Sequence, residues 1–123
     1  MRKDFYYEER RHQIKCMQNY KHTLFGDSKC LQNNNTKFDY ILHPQDSIKN
    51  LYHKIQEDAI KYFNQYDITW WQSGKDTTNS PTGHLVSSQI HCLNHLFALR
   101  TDKDAVKLII EKATGMQFDE VLP

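Results

Sequence analysis

Residues 83–97 read GHLVSSQIHCLNHLF, and the interpretation of the whole chain starts from this stretch. It places two hydroxyls, two amides, three imidazoles and a thiol at what is predicted to be the start of one helix. Ser87 or Ser88 can cap that helix, because a hydroxyl accepts a hydrogen bond from a free backbone N–H of the first turn. The helix is predicted to run to about Leu99. Its predicted buried side consists of Ile90, Leu93, Leu96 and Phe97.

The residues after this helix have the pattern of a second helix. Asp102 is a suitable N-cap, and Gly115 is a suitable terminator because glycine adopts the left-handed conformation that ends many helices. The apolar residues between them keep helical spacing and are predicted to face inward: Val106, Ile109, Ile110 and Ala113. Beyond Gly115, residues 118–122 are predicted to be extended.

The segment before it contains the clearest periodic pattern of the chain. Asp46 or Ser47 can cap a helix, with Pro44 just outside it. The apolar stripe of this predicted helix is continuous over five turns: Ile48, Leu51, Ile55, Ala59, Tyr62, Phe63 and Tyr66.

The N-terminal third of the chain predicts a first helix followed by a polar connector. The helix is predicted from about Asp4 to Phe25, with Gly26 as its stop and Tyr6, Ile14, Met17 and Leu24 at helical spacing. Within the connector, the alternation of Phe38, Tyr40 and Leu42 predicts a short extended piece. Residues 72–83 form a polar loop and are predicted to be the most mobile segment.

These patterns define a mostly α chain with about four helices plus short extended pieces. We divide it into residues 1–44, an N-terminal helix and polar connector, and residues 45–123, a helical part. The chain has 123 residues, a net charge of +1 and 25% charged residues, so charge neither favours nor disfavours a nucleic-acid partner. No run approaches the roughly 20 apolar residues that cross a membrane.

The three cysteines, Cys16, Cys30 and Cys92, are widely spaced. They are expected to be reduced thiols, and because the N-terminus shows no secretory signal, a cytoplasmic location is expected.

Three histidines and a cysteine are candidates for a metal site. His91 and His95 are four residues apart, which puts both rings on one helix face as a zinc-binding helix requires. Cys92 lies beside them and His84 precedes the helix. The third ligand would have to come from elsewhere, so the favoured interpretation is a half-buried histidine pair without metal.

Two further features suggest ligands. Ser87, Ser88 and Gln89 are predicted to lie in the first turn of a helix, where free N–H groups attract anions, with Gly83 and Lys75 nearby. Ordinary capping by serine is the favoured alternative. Trp70 and Trp71 could stack on bases or on a sugar, although paired tryptophans more often serve the core.

Metal-dependent phosphodiester hydrolysis requires carboxylates that hold Mg²⁺ and a nearby lysine, commonly spaced Asp/Glu-x-Lys on a strand. Asp27-Ser28-Lys29 is the one match to that spacing in the sequence. It follows Gly26 in a polar loop without a β-rich flank, so we interpret it as a coincidence.

Four blocks of the sequence, in this order and spacing, resemble a known family. They are Gln56–Phe63, Ile68–Trp71, Thr82–Phe97 and Leu99–Val106. Together they are similar to the N-terminal half of a bacterial group of restriction-endonuclease-like proteins in the PD-(D/E)XK nuclease superfamily. The resemblance extends from about residue 45 to the end.

The resemblance implies an α/β nuclease fold of which this chain is the helical N-terminal portion, truncated before the catalytic sheet. It also implies DNA as the partner and Mg²⁺ as the cofactor of the full-length fold. The catalytic Asp and Glu-x-Lys of that family match no position here, so we expect no catalytic residue and no activity from this chain. The residues expected to bind the substrate are Ser87, Ser88, Gln89, His91 and Asn94, which would line the cleft beside the missing sheet, with Trp70 and Trp71 nearby.

Two alternatives remain open. The chain could be a small helical module that binds protein or nucleic acid without catalysis. Less probable is a zinc-binding helical module that uses His84, His91, Cys92 and His95.

Overall fold

The protein is described by a computed structural model that covers residues 2–20, 25–72 and 79–122. As predicted, it is mostly helical with short extended pieces. The α-helices are α1 (Arg2–Asn19), α2 (Gln56–Gln65), α3 (Ser88–Leu96) and α4 (Lys103–Thr114). Two 3-10 helices span Pro44–Asn50 and Phe97–Leu99, and the strands are β1 (Cys30–Asn33) and β2 (Thr36–Leu42). In the described part of the chain, no helix is long and apolar enough to cross a membrane.

The two strands form an antiparallel hairpin. The extended piece predicted from the alternation of residues 38–42 is confirmed as β2, whereas its partner β1 was not predicted. Asn34 lies in the turn with φ 51°, a left-handed conformation that asparagine tolerates. The free edge of β2 pairs with residues just before α3: the Leu42 N–H donates to the Gly83 carbonyl at 2.9 Å and the Leu85 N–H donates to the Tyr40 carbonyl at 2.9 Å.

The second predicted helix is not continuous. The residues from Pro44 to Asn50 form a 3-10 helix, and α2 begins only at Gln56. Neither Asp46 nor Ser47 is the N-cap; the His43 ring accepts a hydrogen bond from the Gln45 N–H instead. Four residues of the predicted apolar stripe, Leu51, Ile55, Ala59 and Phe63, lie in the core, whereas Ile48 and Tyr66 at its two ends are exposed. The prediction was wrong about the path of the backbone between them.

Side-chain amides explain the interruption. Gln56 Nε2 donates to the Leu51 carbonyl at 2.9 Å and lies 3.2 Å from the Ile48 carbonyl. Asn94 Oδ1 accepts from the Tyr52 N–H at 2.8 Å. These bonds satisfy backbone groups that a continuous helix would have paired internally, so the broken backbone carries no obvious hydrogen-bonding penalty.

The main core joins α2, α3 and the segment that leads to Trp70. Its buried residues are Leu51, Ile55, Ala59, Phe63, Trp70, Ile90, Leu93 and Phe97. A second, smaller cluster packs α1 and the hairpin against the segment just before α3. It consists of Met17, Leu42 and Leu85.

The ends of α3 and α4 confirm the predicted caps. Ser87 is the N-cap of α3, and its hydroxyl accepts from the Ile90 N–H at 3.4 Å. Asp102 is the N-cap of α4, where its carboxylate accepts from the Ala105 N–H at 3.0 Å. Gly115 ends α4 in the left-handed conformation with φ 68°. Predictions based on local capping chemistry were therefore accurate for α3 and α4, in contrast to the predicted cap at Asp46 or Ser47.

Predictions of which face is buried were less accurate. Leu96 is exposed, although it was predicted to be buried. In α4 no residue is buried: Ile109, Ile110 and Ala113 are exposed and Val106 is only partly covered. The helix has the predicted periodicity, but within the described residues nothing packs fully over its apolar face.

Three boundaries also differ from prediction. Helix α1 ends at Asn19 and not near Phe25, and Leu24 lies outside the described residues. Residues 81–83 of the predicted mobile loop are buried, while residues 73–78 lie outside the described part. The segment 118–122 forms no strand; the Phe118 N–H donates to Glu111 of α4 at 3.0 Å, which holds this segment against the helix.

Candidate functional site

Some of the predicted cleft residues surround one cavity. Trp71, Ser87, Ser88 and Gln89 line a cavity of about 410 Å³. The remaining residues of its wall are Tyr6, His84 and Val86. The cavity therefore lies between α1, the extended segment at Trp71 and the first turn of α3.

Gln89 fixes the position of Trp71. The Trp71 N–H donates to Gln89 Oε1 at 2.9 Å, and Gln89 Nε2 donates to the Thr69 carbonyl at 3.2 Å. One side-chain amide thus uses its donor and its acceptor on the same extended segment. The Trp71 side chain, 48% exposed, is presented to the cavity from a fixed backbone.

The two serines of α3 have different roles. Ser87 is buried and its hydroxyl caps the helix. Ser88 is exposed at the cavity wall. The favoured interpretation of capping is confirmed for Ser87. Lys75, named with them as a possible anion contact, lies outside the described residues.

Trp70 does not belong to the cavity. Its ring stacks on Phe63 with a centroid distance of 3.9 Å, and the residue is 2% exposed. The structure thus separates the tryptophan pair into one core residue and one surface residue. Trp70 therefore serves the core, which was the favoured interpretation for paired tryptophans, and it is not part of the wall of this cavity.

Asn94 also lies away from the cavity. Its amide accepts from the Tyr52 N–H and donates from Nδ2 to the Asn50 carbonyl at 3.0 Å. Both contacts fix the backbone of residues 50–52, which lie between the 3-10 helix and α2. Asn94 therefore positions backbone, and the prediction that it lines a cleft together with Ser87 and Gln89 does not match its placement.

His91 is likewise occupied within the fold. Its Nε2 lies 2.8 Å from the Leu85 carbonyl, which ties α3 to the segment paired with β2. The ring centroids of His91 and His95 are 6.3 Å apart. In the described portion of the chain, no three His, Cys, Asp or Glu side chains come together in a group that could hold a metal ion.

His84 forms the inner wall of the cavity. It is buried, its Nδ1 accepts from the Val86 N–H at 3.3 Å, and it meets Trp71 edge to face at 5.6 Å. Burial lowers the pKa of His84 below its ordinary value of 6.5, and the positive charge of Arg10 lowers it further. At neutral pH the cavity therefore has a neutral imidazole wall.

Arg10 and two tyrosines complete this region and were not predicted as site residues. The Arg10 guanidinium lies 3.9 Å from the Tyr40 ring centroid and 4.7 Å from that of Tyr6, and it donates to the Tyr6 hydroxyl at 2.9 Å. The spacing of four residues between Tyr6 and Arg10 on a predicted helix was the available signal. Their approach to Tyr40 and His84 depends on the tertiary fold and had no local signal.

Asp27 and Lys29 do not form a strand motif. Both are exposed and precede β1, which begins at Cys30. The Lys29 N–H contacts Asp46 Oδ2 at 3.2 Å. The hydrogen bond from the Lys49 side chain lowers the pKa of Asp46 below its ordinary value, and the hydrogen bond from the Lys29 N–H lowers it further.

Comparisons with known proteins place the chain in a family. Neither the comparison with curated proteins nor the comparison with solved structures gives a match. Residues 5–122 match a family described as Restriction Endonuclease associating with ARP. Since this match covers nearly the whole sequence, the chain belongs to the family Restriction Endonuclease associating with ARP.

Proposed function

We propose that this chain is the helical part of a Mg²⁺-dependent, restriction-type DNA endonuclease of the PD-(D/E)XK kind, and that it contacts DNA without hydrolysing it. The observation that carries the proposal is the family match over residues 5–122, whose description names a restriction endonuclease. The four sequence blocks that resemble the N-terminal half of such nucleases lead to the same class independently.

The placement of acidic residues and lysines supports a non-catalytic role. Asp27 and Lys29 have the spacing of the strand motif, but they lie in an exposed loop before β1. In the Asp/Glu-x-Lys motif the carboxylate and the lysine project to one face of a strand, which alternate residues of a loop do not guarantee. We therefore assign hydrolysis to residues that are not in this sequence.

The cavity beside Trp71 is the surface that we assign to DNA contact. It combines a half-exposed indole, a neutral imidazole and the exposed hydroxyl of Ser88 with the nearby charge of Arg10. Aromatic groups beside a cation are common in nucleic-acid sites, because bases stack on rings and phosphates are attracted to the charge.

A plasmid assay tests both halves of this proposal. The purified chain is incubated with supercoiled plasmid in Mg²⁺ or Mn²⁺, and both gel retardation and nicking are scored. We expect retardation without nicking. Nicking that requires metal and disappears in Asp27→Ala, but persists in the exposed control Asp67→Ala, would contradict the assignment of hydrolysis to other residues.

A second candidate function is association with a protein partner. Helix α4 carries Leu108, Ile109 and Ile110 on its surface, and large exposed apolar patches are typical of interaction sites. The family description also contains the word "associating". A folded chain that fails to retard the plasmid would favour this candidate over DNA contact.

A further inference from the structure

Trp71 combines an exposed indole with a backbone that is held in place by hydrogen bonds. Nearly half of the residue is exposed, while Gln89 binds the Trp71 N–H and the Thr69 carbonyl. An indole that served only as a cover for the core would gain by burying its full surface, as Trp70 does next to it. Trp71 instead presents a ring at a cavity wall.

The cavity has the dimensions and the walls of a site for a planar ligand. Its volume of about 410 Å³ lies within the roughly 300–1,000 Å³ of small-ligand pockets. Trp71 and Tyr6 supply exposed aromatic surface, and His84 closes the inner side at 5.6 Å from Trp71. His84 is itself supported by Tyr40, at a centroid distance of 5.3 Å.

Charge next to the cavity favours an anionic ligand. Arg10 is held in place by its hydrogen bond to Tyr6 and by its position over the Tyr40 ring. The hydrogen bond to Tyr6 raises the pKa of Arg10 above its already high ordinary value, so the guanidinium stays charged. Burial keeps the pKa of His84 below its ordinary value, so His84 is neutral at pH 7. The positive charge beside the cavity is therefore that of Arg10 and not that of His84.

We propose that the cavity binds one unpaired nucleotide, with its base stacked on Trp71 and its phosphate attracted by Arg10. This inference rests on the proposed contact with DNA and makes it more specific. A base inside a duplex is stacked on its neighbours, so only an unpaired base can place its face on the Trp71 ring. The same chemistry is offered by a free mononucleotide and by a nucleotide within a single strand.

The test measures binding of a fluorescently labelled oligodeoxythymidylate by anisotropy and quenching of tryptophan fluorescence by the unlabelled strand. We expect wild-type protein to bind and its fluorescence to be quenched, because stacking quenches an indole. Trp71→Ala should weaken binding by roughly five- to 150-fold, the range expected for one lost base–aromatic stack. Trp71→Phe should retain most of the affinity.

Tyr66→Ala is the matched control, because Tyr66 is an exposed aromatic residue that does not line the cavity. It should bind the strand as wild type does. Deoxythymidine monophosphate forms a separate arm: quenching by this mononucleotide would identify a free nucleotide as a sufficient ligand, and quenching by the strand alone would identify the strand as the source.

The inference is overturned if Trp71→Ala binds the strand as tightly as wild type, or if neither ligand quenches wild-type fluorescence. The second readout needs no variant and remains decisive should Trp71→Ala fail to fold. Binding to duplex DNA is measured in parallel. Duplex binding combined with strand binding that Trp71→Ala leaves unchanged would refute the nucleotide site alone, whereas the absence of all DNA binding by folded wild-type protein would refute the proposed function as well.

Discussion

Gly83 shows how one residue determines the position of the candidate site. Its carbonyl accepts from the Leu42 N–H, so the backbone of the segment before α3 lies directly against β2. A Cβ atom at this position would lie 2.6 Å from the Leu42 carbonyl oxygen. The sequence placed Gly83 near a possible anion site; in the structure the group that approaches its Cα is the backbone of Leu42 in β2.

We expect Gly83→Ala to destabilise the protein by about 1–3 kcal/mol, the usual cost of forcing extra volume into a packed site. The clash involves backbone atoms of β2, so a side-chain rotation cannot relieve it. The free energy of unfolding from urea titrations followed by circular dichroism checks this. An unchanged unfolding midpoint would mean that the pairing of β2 with residues 83–85 does not form.

At the level of elements, α3 was predictable because its determinants are local. The Ser87 cap was confirmed, and of the predicted buried side Ile90, Leu93 and Phe97 are buried whereas Leu96 is exposed. For α4 the two ends at Asp102 and Gly115 were predicted correctly, but its buried face was not. The break before α2 was not predictable, since it depends on Asn94, which is more than 40 residues away in the sequence.

The two serines of α3 offer a test of its cap. Ser87→Ala should cost about 1 kcal/mol of unfolding free energy, because the Ile90 N–H loses its acceptor. Ser88→Ala is the matched control, since Ser88 is exposed and is not the cap; we expect a change close to zero. Leu93→Ala should cost about 2–5 kcal/mol because it opens a cavity in the main core.

Urea denaturation of the three variants is the measurement. If Leu93→Ala were harmless, α3 would present a different face to the core. If the two serine variants were equally destabilised, the helix would not begin at Ser88.

At the level of the whole molecule, the sequence predicted a mostly α chain but not the surface that its last helix would leave open. The stripe of α4 has correct helical spacing, and a stripe alone does not specify what covers it. The candidate site was predicted in part for a similar reason. Ser87, Ser88, Gln89 and Trp71 come together because they are near α3 and its preceding segment, whereas Tyr6 and Arg10 arrive from α1 through tertiary contacts.

The same limit explains the residues that were assigned to a cleft and lie elsewhere. Polar side chains on one short helix look alike in sequence, but Asn94 and His91 hold backbone groups of other segments. Buried or half-buried polar groups usually have such partners. The polar side chains of Asn94 and His91 suggested contact with a ligand. In the structure both side chains contact backbone groups of the protein itself.

The central claim, that this chain contacts DNA, is tested most directly by the affinity of the folded protein for a labelled duplex over a series of salt concentrations. We predict measurable binding at low salt and a linear fall of the logarithm of the association constant with the logarithm of salt concentration, because bound phosphates release counterions. Circular dichroism at each salt concentration ensures that the helices remain folded. A folded chain that does not bind the duplex at low salt, or whose affinity does not change with salt, would contradict the account.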